Sequence, residues 1–262
     1  MSDVSLTWSD DKATATVTLT RGHVANSLPQ DAAREMAAIL QTTHAATVVV
    51  IGSEGDGAFC SGGDLARIKK QNRQPVADVE ESVRTVFQHL ILTVRAHPGI
   101  VIGRVQGPAV GAGADLALAC DIRVASTSAW IQEAWIRIGL VPALGGGFVL
   151  PTLMGTSSAL EAILTARRIP AEECLRTGIF QRLVAPDQLD NEVGLLIQSL
   201  SAFDPEAVRS IKQLVRGPET EAVRRWMDGA AAVQAERVVH PSMADRVAAI
   251  EARIKSGARR ER

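Results

Sequence analysis

Residues 105–126 read VQGPAVGAGADLALACDIRVAS, and the apolar segment IVIGRV at 100–105 leads into them as a predicted strand. The glycines at 107, 111 and 113 give the backbone conformational freedom for a turn after this strand. GAGADLALA at 111–119 predicts a short buried helix, and DIRVAS predicts the next strand. The first N–H groups of a helix have no partner inside the helix and carry positive partial charge. This turn is therefore suited to present backbone donors to a ligand.

A second glycine-rich turn, GAFCSGGDL at 57–65, follows the continuously apolar segment TVVVI at 47–51. Gly62 and Gly63 precede a predicted helix start at Asp64-Leu65. Two backbone N–H groups, one from each turn, form an oxyanion hole if they face the same point. A purely structural turn is the alternative for each stretch. Neither stretch contains a Walker A lysine or the GxGxxG pattern, which argues against a nucleotide-phosphate site.

Strands and helices alternate along the first two thirds of the chain, which predicts an α/β core. TATVTLT at 14–20 has the strand period, SLPQ at 27–30 has the spacing of a capping box, and 79–95 has one apolar helical face. From about residue 155 onward the pattern is almost entirely helical, with predicted helices at 157–166, 171–177, 188–200, 205–215, 219–237 and 244–256. We therefore divide the chain into a core at 1–200 and a C-terminal helical region at 201–262, and we expect the tail GARRER to be frayed.

The composition argues against several classes of protein. The formal net charge is −1 with no basic block, which disfavours nucleic acid as the main ligand. Cys60, Cys120 and Cys174 show no CxxC spacing, so we expect reduced thiols, no metal site and a cytoplasmic protein. The N-terminal segment MSDVSLTWSDD is polar and acidic, unlike a signal peptide. No apolar run reaches the roughly 20 residues of a membrane-spanning helix, so no membrane partner is expected.

Five stretches together resemble the enoyl-CoA hydratase/isomerase (crotonase) family. They lie in family order across nearly the whole chain and read LTRGHVANSL at 19–28, GAFCSGGDL at 57–65, VQGPAVGAGADLALACDIRVAS at 105–126, IGLVPALGGG at 138–147 and ADRVAAIEAR at 244–253. The resemblance implies a crotonase-like spiral of ββα units with a C-terminal helical trimerisation region, assembled as a homotrimer or hexamer. It also implies an acyl-CoA thioester as the ligand, with coenzyme A as part of the substrate and no separate cofactor.

Carried over to this chain, the resemblance implies that the backbone N–H groups of Gly63 and Ala112 form the oxyanion hole for the thioester carbonyl. The segment at 21–26 would line the path of coenzyme A. The substrate-binding residues implied in this way are Arg21, Val24, Ala25, Cys60, Ser61, Asp64, Leu65, Gly111, Trp135 and Pro142.

The sequence departs from the family pattern at the acidic positions. Family hydratases use two glutamates, and the first position holds Asp115, three residues after Ala112 on the same helix face. Asp115 is one methylene shorter than glutamate, and the helix dipole alone favours an aspartate in a first turn. Trp135 stands at the second glutamate position, and Ala143 stands where some isomerases carry an aspartate. Catalysis by Asp115 and simple capping therefore both stay open.

Glu133, two residues before Trp135, is the second candidate acid or base. Its side chain points inward if the local chain is extended; otherwise it is a solvated loop residue, which is the interpretation we favour. With one acid in place, proton shuttling in a double-bond isomerisation fits slightly better than water addition. The alternatives are an enoyl-CoA hydratase, a decarboxylase or C–C hydrolase of the same family, and a CoA-ester binding protein with little catalysis.

Overall fold

The computed structural model describes residues 2–255, and the predicted frayed tail at 257–262 lies outside them. The strands in this part of the chain are β1 Val4–Trp8, β2 Thr14–Leu19, β3 Val48–Ser53, β4 Ile100–Val105, β5 Ala109–Val110, β6 Ile122–Ser126, β7 Trp130–Gln132, β8 Ile169–Pro170 and β9 Arg182–Val184. The α-helices are α1 Gln30–Thr42, α2 Leu65–Gln71, α3 Val76–Ser82, α4 His89–Ala96, α5 Ala112–Ala119, α6 Gly146–Met154, α7 Thr156–Thr165, α8 Ala171–Arg176, α9 Leu189–Ser201, α10 Pro205–Val239 and α11 Pro241–Lys255.

Six strands form the larger sheet, in the order β1-β2-β3-β4-β6-β9. Strand β1 is antiparallel to β2, and every other pair in this sheet is parallel. All six residues of β3 are buried, as expected for a continuously apolar strand that is covered on both faces. Strands β5, β7 and β8 form a small second sheet. The strands predicted near 14–20, 47–51, 100–105 and 121–126 are confirmed.

The two faces of the larger sheet carry separate apolar cores, because successive side chains of a strand point to opposite faces. On one face, Val48, Val50 and Ile102 pack with residues of α9. On the other face, Val49 and Ile51 belong to the main core, which includes side chains of α1, α4 and α5. Because α5 packs in the main core, the glycine-rich turn at the start of α5 lies on this face of the sheet.

Helix α1 begins differently from the prediction. Its N-cap is Pro29, which has an extended backbone and no side-chain capping bond. Ser27 instead belongs to the preceding turn, where its N–H donates to the carbonyl of Val24. The predicted capping box at 27–30 is wrong because the helix starts later than that spacing requires.

The helix predicted at 79–95 starts earlier and is interrupted by a π-helical segment at Val83–Gln88. The wider turn brings Gln88 to the buried side, where its Nε2 donates to the carbonyls of Ala143 and Met227. A π segment within an α-helix frequently accompanies a functional site.

Two predicted helices at 205–215 and 219–237 form the single helix α10. Proline inside a helix removes one backbone hydrogen bond, yet α10 continues through Pro218. Buried Lys212 and Val223 hold the helix on either side of this residue. Helix α10 packs against α2, α3, α4 and α6, and the division of the chain at residue 200 stays a prediction. None of the helices within residues 2–255 is long and apolar enough to cross a membrane.

Candidate active site

The two glycine-rich turns lie directly against each other. The N–H of Val110 donates to the carbonyl of Cys60 over 2.9 Å, and the N–H of Cys60 donates to the carbonyl of Pro108 over 3.2 Å. A Cβ atom on Gly113 would lie only 2.2 Å from the carbonyl oxygen of Cys60. Gly62 has a φ of +93°, and a Cβ atom there would lie 2.5 Å from the carbonyl oxygen of Val110. The glycines are therefore required by the close approach of the two backbones.

The two residues predicted as oxyanion donors line a common space, and their amides donate no hydrogen bond within the described residues. Gly63 and Ala112 line the same cavity. Within residues 2–255, neither amide donates a hydrogen bond, whereas the neighbouring amides of Ser61 and Gly111 donate to the carbonyls of Ala25 and Gln132. The contact between the turns thus leaves two backbone donors beside one cavity.

The cavity has a volume of about 40 Å³. Its walls come from the two turns, from the π segment, from the stretch after β7, and from α2 and α10. The lining residues are uncharged; they are Gly63, Ile68, Gln71, Val83, Phe87, Ala112, Trp135, Leu140, Leu144, Gln234 and Val238.

Asp115 is buried in the first turn of α5, and its side chain does not cap its own helix. Its Oδ1 accepts the N–H of Gly146, the first residue of α6, over 2.6 Å, and its Oδ2 accepts the indole N–H of Trp135 over 3.2 Å. Burial raises the pKa of Asp115 to about 7, while these two donors act in the opposite direction. The aspartate is therefore placed at a neighbouring helix N-terminus, where negative charge is favoured.

Glu133 is also buried, with 2 % of its surface exposed, so its interpretation as a solvated loop residue is wrong. Neither carboxyl oxygen has a hydrogen-bond partner within residues 2–255. A Cβ atom on Gly146 would lie 2.1 Å from Glu133 Oε1 and 2.9 Å from Asp115 Oδ1, which puts the two oxygens within about 5 Å of each other. Burial and the nearby charge of Asp115 raise the pKa of Glu133 well above its ordinary value, while the indole N–H of Trp135 acts in the opposite direction.

Trp135 is in contact with both the carboxyl pair and the cavity. It donates a hydrogen bond to Asp115 and lines the cavity, whereas neither Asp115 nor Glu133 lines it. The ring also packs against Gly111, where a Cβ atom would lie 3.6 Å from it and φ is +53°. The helix spacing places Asp115 in the same helical turn as Ala112, as predicted, but Asp115 itself does not line the cavity.

The predicted coenzyme A segment borders a surface groove of about 560 Å³. Ala25 lines this groove together with Glu54 and Asp56. Arg21 forms an ion pair with Asp3 over 2.7 Å, and the exposed Val24 is absent from the groove lining.

The remaining predicted substrate-binding residues lie near the turns but mostly have structural contacts. Burial raises the pKa of the Cys60 thiol to about 12, which leaves it unreactive. Asp64 caps α2 by accepting the N–H groups of the two residues after Leu65. Ser61 is exposed. Pro142 lies against Gly147 outside the cavity lining, and the substrate contacts of these residues stay predictions.

A metal site was not expected from the sequence. Within the described residues, no group of three or more histidine, cysteine, aspartate and glutamate side chains is arranged to hold a metal ion.

Comparison with known proteins gives the family. The family model described as enoyl-CoA hydratase/isomerase matches residues 10–249. The chain belongs to the enoyl-CoA hydratase/isomerase family. Members of this family act on acyl-CoA thioesters, and the chain is an enzyme of this family.

Two curated members of the enoyl-CoA hydratase/isomerase family are equally similar to the chain. The short-chain-enoyl-CoA hydratase of Clostridium acetobutylicum is 30 % identical over 204 residues, which are 77 % of this chain and 77 % of that protein. The 1,2-epoxyphenylacetyl-CoA isomerase of Escherichia coli is 30 % identical over 220 residues, 83 % of this chain and 84 % of that protein.

The solved structure of an enoyl-CoA hydratase from Bacillus halodurans superimposes with a TM-score of 0.87 at 21 % identity, covering 95 % of this chain and 100 % of that one. The predicted crotonase fold is thereby confirmed.

Proposed function

We propose that the protein binds an acyl-CoA thioester with its carbonyl oxygen between the amides of Gly63 and Ala112, and that it moves a carbon–carbon double bond within the acyl group. The observation that supports this proposal is the pair of unused backbone N–H groups beside one cavity. Fixed backbone donors stabilise the negative charge that develops on the carbonyl oxygen when an enolate forms.

The proton transfer is assigned to Asp115. Its carboxylate removes a proton from C2 of a 3-enoyl thioester, and the electron pair of that C–H bond moves towards the thioester oxygen. Asp115 then returns the proton to C4, the electrons return from oxygen, and the double bond lies between C2 and C3. A pKa of about 7 suits a group that must accept and release a proton near neutral pH.

Glu133 supports Asp115 by holding the second proton of the pair. Two buried carboxyl groups this close do not both ionise near neutral pH, because their charges repel. Asp115 carries the charge because it accepts two hydrogen bonds, whereas Glu133 accepts none within the described residues. In the proposed reaction the indole of Trp135 turns aside to bring the Asp115 carboxylate to the substrate.

Hydration of a 2-enoyl thioester is the second candidate function. The presence of two carboxyl groups favours it, since a hydratase uses one to activate water and one to donate a proton. The cavity opposes it, because Trp135 occupies the cavity wall at the second glutamate position and the remaining lining is largely apolar. Relatives named as hydratases are 30 % and 35 % identical to this chain, and the 1,2-epoxyphenylacetyl-CoA isomerase is 30 % identical, so the names of the relatives do not decide between the two reactions.

The test is turnover of crotonyl-CoA and 3-butenoyl-CoA by wild type, Asp115→Asn and Glu133→Gln. We expect isomerisation by the wild type and a loss of about 10²- to 10⁴-fold for Asp115→Asn, with thioester affinity retained. Glu133→Gln is the matched control for Asp115→Asn. Glutamine has the shape of a protonated glutamate and is also neutral, so this variant should retain most of the isomerisation rate. Hydration without isomerisation overturns the assignment of the reaction, and binding without any turnover makes the protein a CoA-ester binding protein.

We also propose that the chain assembles as a homotrimer or hexamer. The support is an apolar stripe on α10, where Ile211, Leu214 and Val215 are 61 %, 78 % and 75 % exposed in the single chain. Side chains of this size are seldom left together in water. Sedimentation equilibrium measures the mass, and a monomer at micromolar concentration overturns the proposal.

A further inference from the structure

Gln234 of α10 presents an unused donor to the cavity. The side chain is buried, with 4 % of its surface exposed, and it lines the cavity. Its Oε1 accepts the backbone N–H of Val141 over 2.9 Å. Because a backbone N–H only donates, this bond fixes which end of the amide is oxygen, and Nε2 must point the other way.

Nothing in the described chain accepts a hydrogen bond from Gln234 Nε2. Within residues 2–255, the bond to Val141 is the single hydrogen bond of this side chain. The Nε2 atom has no partner there, yet it is not fully enclosed by protein atoms. The Nε2 atom therefore keeps some accessible surface, and the cavity that Gln234 lines is the space beside this largely buried side chain. A ligand acceptor that enters the cavity can take this free donor.

The other polar side chains of the cavity are already engaged. The indole N–H of Trp135 donates to Asp115, and the Nε2 of Gln71 lies 3.4 Å from the hydroxyl of Ser82. No charged side chain is among the lining residues. A ligand group that meets Gln234 is therefore a neutral acceptor, since a buried carboxylate would have no cation to balance it.

The cavity volume limits the size of that ligand. A volume of about 40 Å³ corresponds to about three water-sized spheres. A dry cavity that accepts benzene has a volume of about 150 Å³, so a phenyl ring does not fit while Trp135 keeps its place in the cavity wall. With the thioester carbonyl held at Gly63 and Ala112, the space accommodates an acyl group of about four non-hydrogen atoms in a row.

We propose that Gln234 makes the enzyme selective for short acyl-CoA thioesters that carry a neutral, hydrogen-bond-accepting oxygen at the third or fourth position of the acyl chain. The Nε2 of Gln234 donates to this oxygen, which distinguishes it from a plain alkyl chain of the same length. The proposal rests on the proposed function, because that function places the thioester carbonyl at the two free amides.

Isothermal titration calorimetry with isosteric ligands tests this selectivity. Methoxyacetyl-CoA has the length of butanoyl-CoA but replaces one methylene by an ether oxygen, and acetoacetyl-CoA carries a ketone oxygen on C3. The variants are Gln234→Met, which removes the donor at similar volume, and Gln213→Met, an exposed position on the same helix. The measured quantity is the ratio of the Kd values of butanoyl-CoA and each oxygenated ligand within one variant, so a general loss of affinity cancels.

In the wild type and in Gln213→Met we expect at least one oxygenated ligand to bind about 2- to 10-fold more tightly than butanoyl-CoA, as one neutral hydrogen bond provides. In Gln234→Met the ratio should fall to about one. If Gln234→Met does not fold, Gln234→Glu at pH 8 keeps an acceptor for Val141 and places a carboxylate oxygen at the donor site, which should reverse the preference.

Equal affinity for all three thioesters in the wild type, or a preference that persists in both Gln234 variants, overturns the selectivity proposal. Tighter binding of phenylacetyl-CoA than of the four-atom ligands contradicts the size limit and overturns it as well. Thioesters that bind without discrimination, together with isomerisation of 3-butenoyl-CoA, leave the proposed function intact. If none of the thioesters binds more tightly than free coenzyme A, the proposed function fails too.

Discussion

The burial of Asp115 makes the stability of the protein fall as pH rises, and Asp115→Asn should remove the part of this dependence that Asp115 causes. Desolvation raises the pKa of Asp115 from 3.8 to about 7 in the folded chain, and unfolding returns it to the ordinary value. Between these pH values the folded state holds a proton that the unfolded state has released. Stability therefore falls as pH rises from about 4 to about 7. About three pK units correspond to about 4 kcal/mol.

Asparagine cannot ionise, so the variant does not carry this cost. Its carbonyl still accepts the N–H of Gly146, but its amide group then faces the indole N–H of Trp135, which loses its acceptor. That loss costs about 1–3 kcal/mol at every pH. We expect the variant and the wild type to have similar stability at pH 5. At pH 8 the variant should be the more stable protein, and its advantage should grow by about 3 kcal/mol between the two pH values.

The assay is urea unfolding of both proteins at pH 5 and pH 8, at one protein concentration because assembly affects apparent stability. Asp190→Asn is the control. The Arg104 guanidinium lowers the pKa of the more exposed Asp190, so its stabilisation is lost only below about pH 4, and the stability difference between this variant and wild type should not change between pH 5 and pH 8. A stability difference between Asp115→Asn and wild type that does not change with pH would show that Asp115 is ionised in the folded chain at pH 5. The argument from desolvation would then be refuted.

Two further substitutions probe the same region. A methyl group on Gly146 would lie 2.1 Å from Glu133 Oε1, so Gly146→Ala should lower the free energy of unfolding by about 1–3 kcal/mol. The control is Gly229→Ala, at an open position of α10. It should raise the free energy of unfolding by about 0.5–1 kcal/mol in the same urea experiment. The indole N–H of Trp135 lowers the pKa of Asp115 in the free enzyme, so Trp135→Phe should move the half-maximal point of kcat/KM for isomerisation, expected near pH 7, to higher pH. A shift to lower pH in the pH–rate profile contradicts this role.

The sequence predicts the sheet and most of the helices because their patterns are local. A fully apolar segment such as 47–51 has few alternatives to a strand covered on both faces, and the glycine-rich turns mark both helix starts. Long-range packing decides the features that the sequence missed. Helix α10 continues through Pro218 because buried residues on both sides hold it, and the π segment at Val83–Gln88 depends on how Gln88 meets two distant carbonyls.

The acid pair was predicted only in part, because two parts of the chain far apart in sequence build it. Its members lie on α5 and directly after β7, and Gly146 of α6 fits between their oxygens. The sequence signal that could have indicated the pair is the glycine run LGGG at 144–147, since a glycine at a helix start leaves room for a buried side chain. Because Gly146 lies between the oxygens of Asp115 and Glu133, a second carboxyl group is present even though Trp135 stands at the family's second glutamate position. Glu133 places a buried carboxyl group two residues earlier, beside Asp115, so in the proposed reaction the position of the Trp135 ring decides whether the acid pair reaches the substrate.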